Sequence, residues 1–180
     1  MKRAALAFCF AIAIILTTTQ LEAQMAPATP APELKKLDFL AGDWTDEGTM
    51  TMGPPGTQTS KWTITTHAEW MEGNFFIVEH DDADLASMGK SKDLAILGYD
   101  SDKKVYTYNA FSSTGEAGSS TGTVDGDTWT WLSTEHFGGK PMKGRYTMKV
   151  LSPTSYTMKY ELSQDGANWT TAMEGKATKK

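Results

Sequence analysis

From Gly42 to the C-terminus the sequence predicts an all-β domain, an antiparallel meander of about ten strands that curls into a barrel. Three observations lead there. Thr, Tyr, Trp, Phe, Val and Ile are dense beyond Gly42, and no helical period interrupts them. Turn signals recur at near-regular spacing: Glu72-Gly73, Tyr99-Asp100-Ser101-Asp102, Asp125-Gly126, Gly138-Gly139, Ser152-Pro153 and Asp165-Gly166. Between them apolar and polar residues alternate. Trp129 and Trp131 oppose Thr128 and Thr130; Tyr146, Met148 and Val150 oppose Arg145, Thr147 and Lys149; Tyr156, Met158, Tyr160 and Leu162 oppose Thr157, Lys159 and Glu161. A sheet with one apolar face and no helical layer to cover it buries that face by closing on itself. A two-sheet sandwich is the alternative.

In chain order, the first element is an address. Lys2 and Arg3 precede an unbroken apolar run, Ala4 to Leu16, then Thr17-Thr18-Thr19-Gln20 and small residues at cleavage points such as Ala23 or Ala28. This is the order of a secretory signal peptide, and the run is too short to cross about 30 Å of hydrocarbon. Residues 1–23 are therefore expected to be removed from a secreted or periplasmic protein, an uncleaved anchor being the rival reading. Cys9, the single cysteine, lies in the apolar run behind Leu6-Ala7-Phe8, where a lipoprotein signal wants a small residue in place of Phe8. The mature chain would then lack disulfides and thiol chemistry. Residues 24–32 form a Pro/Ala-rich tether, and 33–180 the barrel domain.

Pro32-Glu33-Leu34 opens a short helix of about two turns, with Leu34, Leu37 and Leu40 at steps of three, ending at Gly42. Strands follow at approximately 43–52, 59–70, 74–81, 93–99, 104–112, 117–124, 127–136, 142–150, 154–162 and 168–177. No intervening stretch is long enough for a crossover helix, so neighbours in sequence pair antiparallel. The formal net charge of −5 leaves no electrostatic footprint for nucleic acid, nor for a membrane once the signal is cleaved.

Leu37-Asp38-Phe39-Leu40-Ala41-Gly42-Asp43-Trp44 resembles the Gly-x-Trp opening of calycin barrels such as lipocalins, fatty-acid-binding proteins and nitrobindin-like proteins. A longer match is more specific. Leu94 to Asp100, Val105 to Tyr108, Gly122-Thr123-Val124 with Asp127 to Trp131, Ser152 to Tyr156 and Met173 to Ala177 resemble the bacterial family called domain of unknown function 1579, over about Glu33 to Lys180. The resemblance implies a calycin-like barrel with a short N-terminal helix plugging one end, and brings no established activity. It implies a barrel-end set of Leu37, Leu40, Gly42 and Trp44. Calycins often stack an arginine on that tryptophan, a role that would fall to Arg145, although its parity opposite Tyr146 and Met148 favours the outer wall.

Candidate chemistry is sparse. His67, His80 and His136 lie opposite the apolar residues of their strands, and no pair has metal-ligand spacing, so neither a metal nor another cofactor is expected. The nitrobindin-like relatives hold haem through a histidine near the C-terminal strands, and none follows His136 here. Glu79, His80, Asp81, Asp82 and Asp84 read as a solvated acidic hairpin. Thr114 to Gly122, rich in Gly and Ser, reads as a mobile loop and flexible strand. There is no Gly-x-Ser-x-Gly elbow. Glu79 and Glu135 share the parity of apolar residues, and a carboxyl aimed into a cavity would have a raised pKa and become a functional candidate.

What remains is an aromatic interior. Trp62, Trp70, Phe75, Trp129, Trp131, Tyr146, Met148, Tyr156, Met158, Tyr160 and Trp169 fall on apolar faces and are the candidate ligand-binding residues. The expectation is non-catalytic binding of a small hydrophobic or amphipathic molecule inside the barrel. A calycin-type isomerase or lyase using an internal Tyr or Glu, and a structural or interaction module with a filled barrel, are the alternatives.

Overall fold

The structure, a computed structural model, describes residues 28–51, 58–137 and 139–180. The signal segment 1–23, Cys9 and residues 24–27 of the tether lie outside the described residues. Ten antiparallel strands form one closed barrel in which each strand pairs with its sequence neighbours and the last closes on the first. They are β1 Gly42–Met50, β2 Ser60–Trp70, β3 Ile77–Asp84, β4 Lys90–Asp100, β5 Val105–Ser112, β6 Ala117–Asp125, β7 Thr128–Phe137, β8 Lys140–Ser152, β9 Ser155–Ser163 and β10 Thr170–Lys179. Closure pairs Trp44 of β1 with Lys179 of β10 and leaves no sheet edge.

The predicted hairpins form where their turn chemistry sits. Gly126, with φ +55°, joins β6 to β7. Between β4 and β5, Asp100 accepts the backbone N–H groups of Asp102 and Lys103, the side-chain turn for which Asp is selected. One stretch differs from expectation. β3 starts at Ile77, not at residue 74, and runs to Asp84, so the acidic stretch is paired strand, with Asp81 opposite both Thr66 and Asp93. Charge density argued for a solvated hairpin, but along this strand Glu79 and Asp81 face the interior while His80, Asp82 and Asp84 are exposed. Ala117 to Asp125 is the strand expected over 117–124, paired with β5 and β7.

The helix that plugs one end, Pro32–Leu40, is a 3₁₀ helix. Three residues per turn stack leucines at steps of three on one face, and Leu34, Leu37 and Leu40 are all buried. Trp44, 2% exposed, donates its indole Nε1–H to the carbonyl of Leu40 at 2.7 Å, capping a carbonyl at the helix end. The Tyr106 hydroxyl donates to the Glu33 carbonyl at 2.9 Å. Beneath them Tyr99, Tyr106, Trp129 and Trp131 form a chain of rings, with Tyr106 edge-on to Trp129 at 4.7 Å and Trp129 stacked on Trp131 at 6.1 Å. Gly122 makes this possible: a Cβ there would lie 2.4 Å from the Trp131 ring.

Candidate functional site

Ten strands enclose more than their side chains fill. A cavity of about 390 Å³ extends from beneath Leu40 and Trp44 to Gly118 and Ser119, which are exposed and mark its mouth. Its space has a local cause. Where β6 lines it, the inward positions carry the small residues Gly118 and Ser120, facing Ala110 and Tyr108 of β5. The other walls are aromatic and thioether-rich: Trp44, Trp62, Trp131, Tyr146, Met148, Tyr156, Met158 and Tyr160.

Four carboxyls share this apolar lining: Asp46, Glu79, Asp81 and Glu135. No lysine, arginine or histidine among the described residues lines it. Strand alternation places them. Asp46 follows Trp44 by two residues on β1, and Glu79 and Asp81 follow Ile77 on β3. Asp46 is 8% exposed. Its Oδ2 accepts the Tyr156 hydroxyl at 2.8 Å, while its Oδ1 is buried without a hydrogen-bond partner among the described residues. Asp81 accepts the Thr66 hydroxyl. Glu135, nearer the mouth, accepts the Ser133 hydroxyl at 2.6 Å.

The electrostatic consequence follows from burial without cations. Enclosure in the barrel, reinforced by the charges of Asp81 and Asp46, pushes the Glu79 pKa up to about 8. Burial raises Asp46 to about 6 against the opposing effect of the Tyr156 hydrogen bond, and burial also raises Asp81. The hydroxyls of Tyr108, Tyr146 and Tyr156 are held protonated, first by burial and then by their proximity to phenol and carboxyl neighbours. Burial and Glu135 push Tyr160 up to about 12. At neutral pH the cavity therefore offers hydroxyl and carboxylic acid donors beside ionised acceptors.

Of the residues singled out from sequence, Trp62, Trp131, Tyr146, Met148, Tyr156, Met158 and Tyr160 line the cavity. Trp70 and Trp129 pack in the hydrophobic core beside it. Phe75 precedes β3 in the turn and is half-buried. Trp169 is a correction: it lies on the outer wall, with the Arg145 guanidinium 4.1 Å over its ring. The loop before β10 breaks the strand alternation from which an inward position was inferred. Arg145 takes the outer place that its parity favoured, and the role on Trp44 implied by the resemblance is what needs correcting. The guanidinium sits outside, paired with Glu161 at 2.8 Å, and does not stack on Trp44. Lys179 does, with its ammonium 5.3 Å over the Trp44 ring and donating to the Phe39 carbonyl at 3.0 Å. The three histidines are exposed on the outer wall as expected, with His67 2.7 Å from Asp43. Sequence reasoning missed Asp46 and Asp81. Their parity with Trp44 and Ile77 was the available signal.

The family model described as protein of unknown function (DUF1579) matches residues 29–179. The chain belongs to this family. No curated protein matches it. Solved structures share the shape at low identity. The crystal structure of Rv2717c from M. tuberculosis superimposes with a TM-score of 0.55 at 13% identity, covering 84% of this chain and 99% of that one. The S-type phycobiliprotein lyase CPES from Guillardia theta gives 0.55 at 12% identity, covering 81% and 91%. At such identities the likeness is one of fold.

Proposed function

We propose that this DUF1579 protein is exported and binds one small, largely apolar molecule in its barrel. The observation that carries the reading is the 390 Å³ cavity, walled by indole, phenol and thioether groups around a few convergent polar ones, the make-up of small-molecule sites. The N-terminal signal pattern supports export. Native mass spectrometry of the protein purified from its own cells tests both parts. The expected result is a retained molecule on a chain that begins after residue 23, recovered from the envelope or medium. A mass equal to the uncleaved polypeptide alone, with side chains filling the barrel in a crystal, would remove the reading.

Glu79 favours a second reading, acid–base catalysis on the bound molecule. A carboxyl with a pKa of about 8 facing a cavity is poised to give and take protons near neutral pH, and one neighbour of this shape is a phycobiliprotein lyase. Once a ligand is identified, its chemical conversion by the wild-type protein and not by Glu79→Gln would move the assignment from binding to catalysis.

A further inference from the structure

We propose that the molecule held in the barrel carries a protonated amine, seated against the carboxyls of Asp46, Glu79 and Asp81 with its apolar part on the aromatic wall. This rests on the reading of the barrel as a binding site and specifies its ligand class. Three independent features converge. Asp46 is more than nine-tenths buried and lines the cavity, and its Oδ1 has no donor; an N–H of an ammonium group supplies one as a charge-assisted bond. The wall carries acids from three strands, Asp46 on β1, Glu79 and Asp81 on β3 and Glu135 on β7, and no basic side chain answers them. Trp44, Tyr108, Trp131, Tyr146 and Tyr156 face the same space, and aromatic faces attract cations.

The competing occupants fit less well. An anion would find hydroxyl donors but no cation among the lining residues described, and would lie beside four carboxyls. No group of three or more His, Cys, Asp or Glu among the described residues is arranged to hold a metal ion. A neutral molecule satisfies Asp46 but leaves the acidic wall uncompensated. Lys179, the cation at the plugged end, is engaged by the Phe39 carbonyl and the Trp44 ring.

Proton exchange gives the site a signature. The groups around Glu79 are Asp81 on its own strand, Asp46 on β1, Asp93 on β4 and the tyrosines Tyr108, Tyr146 and Tyr156 on β5, β8 and β9. The groups facing the interior are acids or phenols, and His80, exposed on the outer face of β3, bears on Asp81 and not on Glu79. An entering ammonium favours the ionised carboxylate and expels its proton.

The test compares three probes of one skeleton on the mature chain by titration calorimetry: tryptamine, tryptophol and indolepropionate. The expected order is tryptamine tighter than tryptophol by about tenfold or more, with indolepropionate weakest. Tryptamine affinity should rise between pH 6 and pH 8.5 with proton release, while that of tryptophol should not. In Asp46→Asn with Glu79→Gln the amine should lose its advantage and tryptophol binding should persist. The wild-type pH series decides the matter even if that double variant does not fold. Tryptophol or indolepropionate binding as tightly as tryptamine, a flat pH series, or no binding of any probe overturns the amine assignment. A neutral or anionic molecule retained by protein from its own cells overturns that assignment alone; an empty barrel there overturns the binding reading as well.

Discussion

The two ends of this barrel use the same strands for opposite purposes. At the plugged end side chains close on the helix carbonyls: the Trp44 indole N–H reaches Leu40, the Tyr106 hydroxyl reaches Glu33 and the Lys179 ammonium reaches Phe39. Rings and leucines fill what is left. Further along the interior, the inward side chains shrink to Gly118 and Ser120, carboxyls replace leucines, and buried oxygens of Asp46 and Asp93 lack partners. One end is built for stability and the other tolerates a cost, since buried unpartnered acceptors are destabilising. Such a cost persists in a fold when something else requires those groups, and binding is the simplest requirement.

Trp44→Ala attacks the filled end and should have the largest effect. It removes a fully packed indole, the donor to Leu40 and the platform under Lys179, so a loss of about 3–5 kcal/mol is expected in urea denaturation. A loss below about 1 kcal/mol would mean that the helix is an ornament and the ends do not differ.

The acids of the open half should reverse the usual pH dependence. Glu79 keeps its proton to about 8 in the folded chain and releases it near 4.5 when unfolded. Asp46 behaves alike between 3.8 and about 6. The folded state thus binds more protons in this window, so the stability linked to them is fully present below the unfolded values and is lost as pH rises through the folded ones. Unfolding free energy should fall by roughly 2–5 kcal/mol between pH 5 and pH 9, and Glu79→Gln should flatten the fall. Outer-wall carboxyls act in the other direction. Asp84 and Asp100 are held below their ordinary range chiefly by Lys90 and Lys103, so their contribution disappears only in acid. Stability that rises steadily towards pH 9 would erase the distinction between inner and outer acids.

Much of this contrast is legible in the sequence, and the illegible part has a physical reason. Alternation is a local signal, so it places the strands and sets Trp131, Tyr146 and Met158 on the inner face. Leucines at steps of three and Gly42-x-Trp44 locate the plug. Closure is not local. Whether Lys179 or Arg145 covers Trp44 depends on β10 returning to β1, a pairing across most of the chain. Parity with apolar residues singles out Glu79 and Glu135, and both line the cavity. Asp81 and Asp46 are hidden for a different reason: charged residues usually mark solvent, so Asp81 reads as part of a solvated hairpin, and Asp46 carries no motif of its own beside Trp44. Polarity inside a cavity breaks the rule by which the strands are read.

Lys179→Met should cost about 1–2 kcal/mol at the plugged end, from one charge-assisted hydrogen bond and a cation held over Trp44. Probe binding in the cavity should be unchanged, because Lys179 is absent from its walls. A variant that loses stability and binding together would show that plug and cavity are coupled.

The smallest effect should come from Gly118, one of a glycine pair that differs only in position along β6. At Gly118, in the mouth, a Cβ meets nothing within 4 Å, whereas at Gly122 it would strike Trp131 at 2.4 Å. Neither residue has a positive φ, so backbone strain does not separate them. Gly118→Ala should be neutral or stabilising by a few tenths of a kcal/mol, since alanine narrows the unfolded ensemble at no steric cost. Gly122→Ala should lose about 1–3 kcal/mol by overpacking the Trp129–Trp131 stack. Paired denaturation curves measure both. Equal losses would mean that the mouth is as tightly packed as the plug, and a barrel packed to that degree throughout has no room for a ligand.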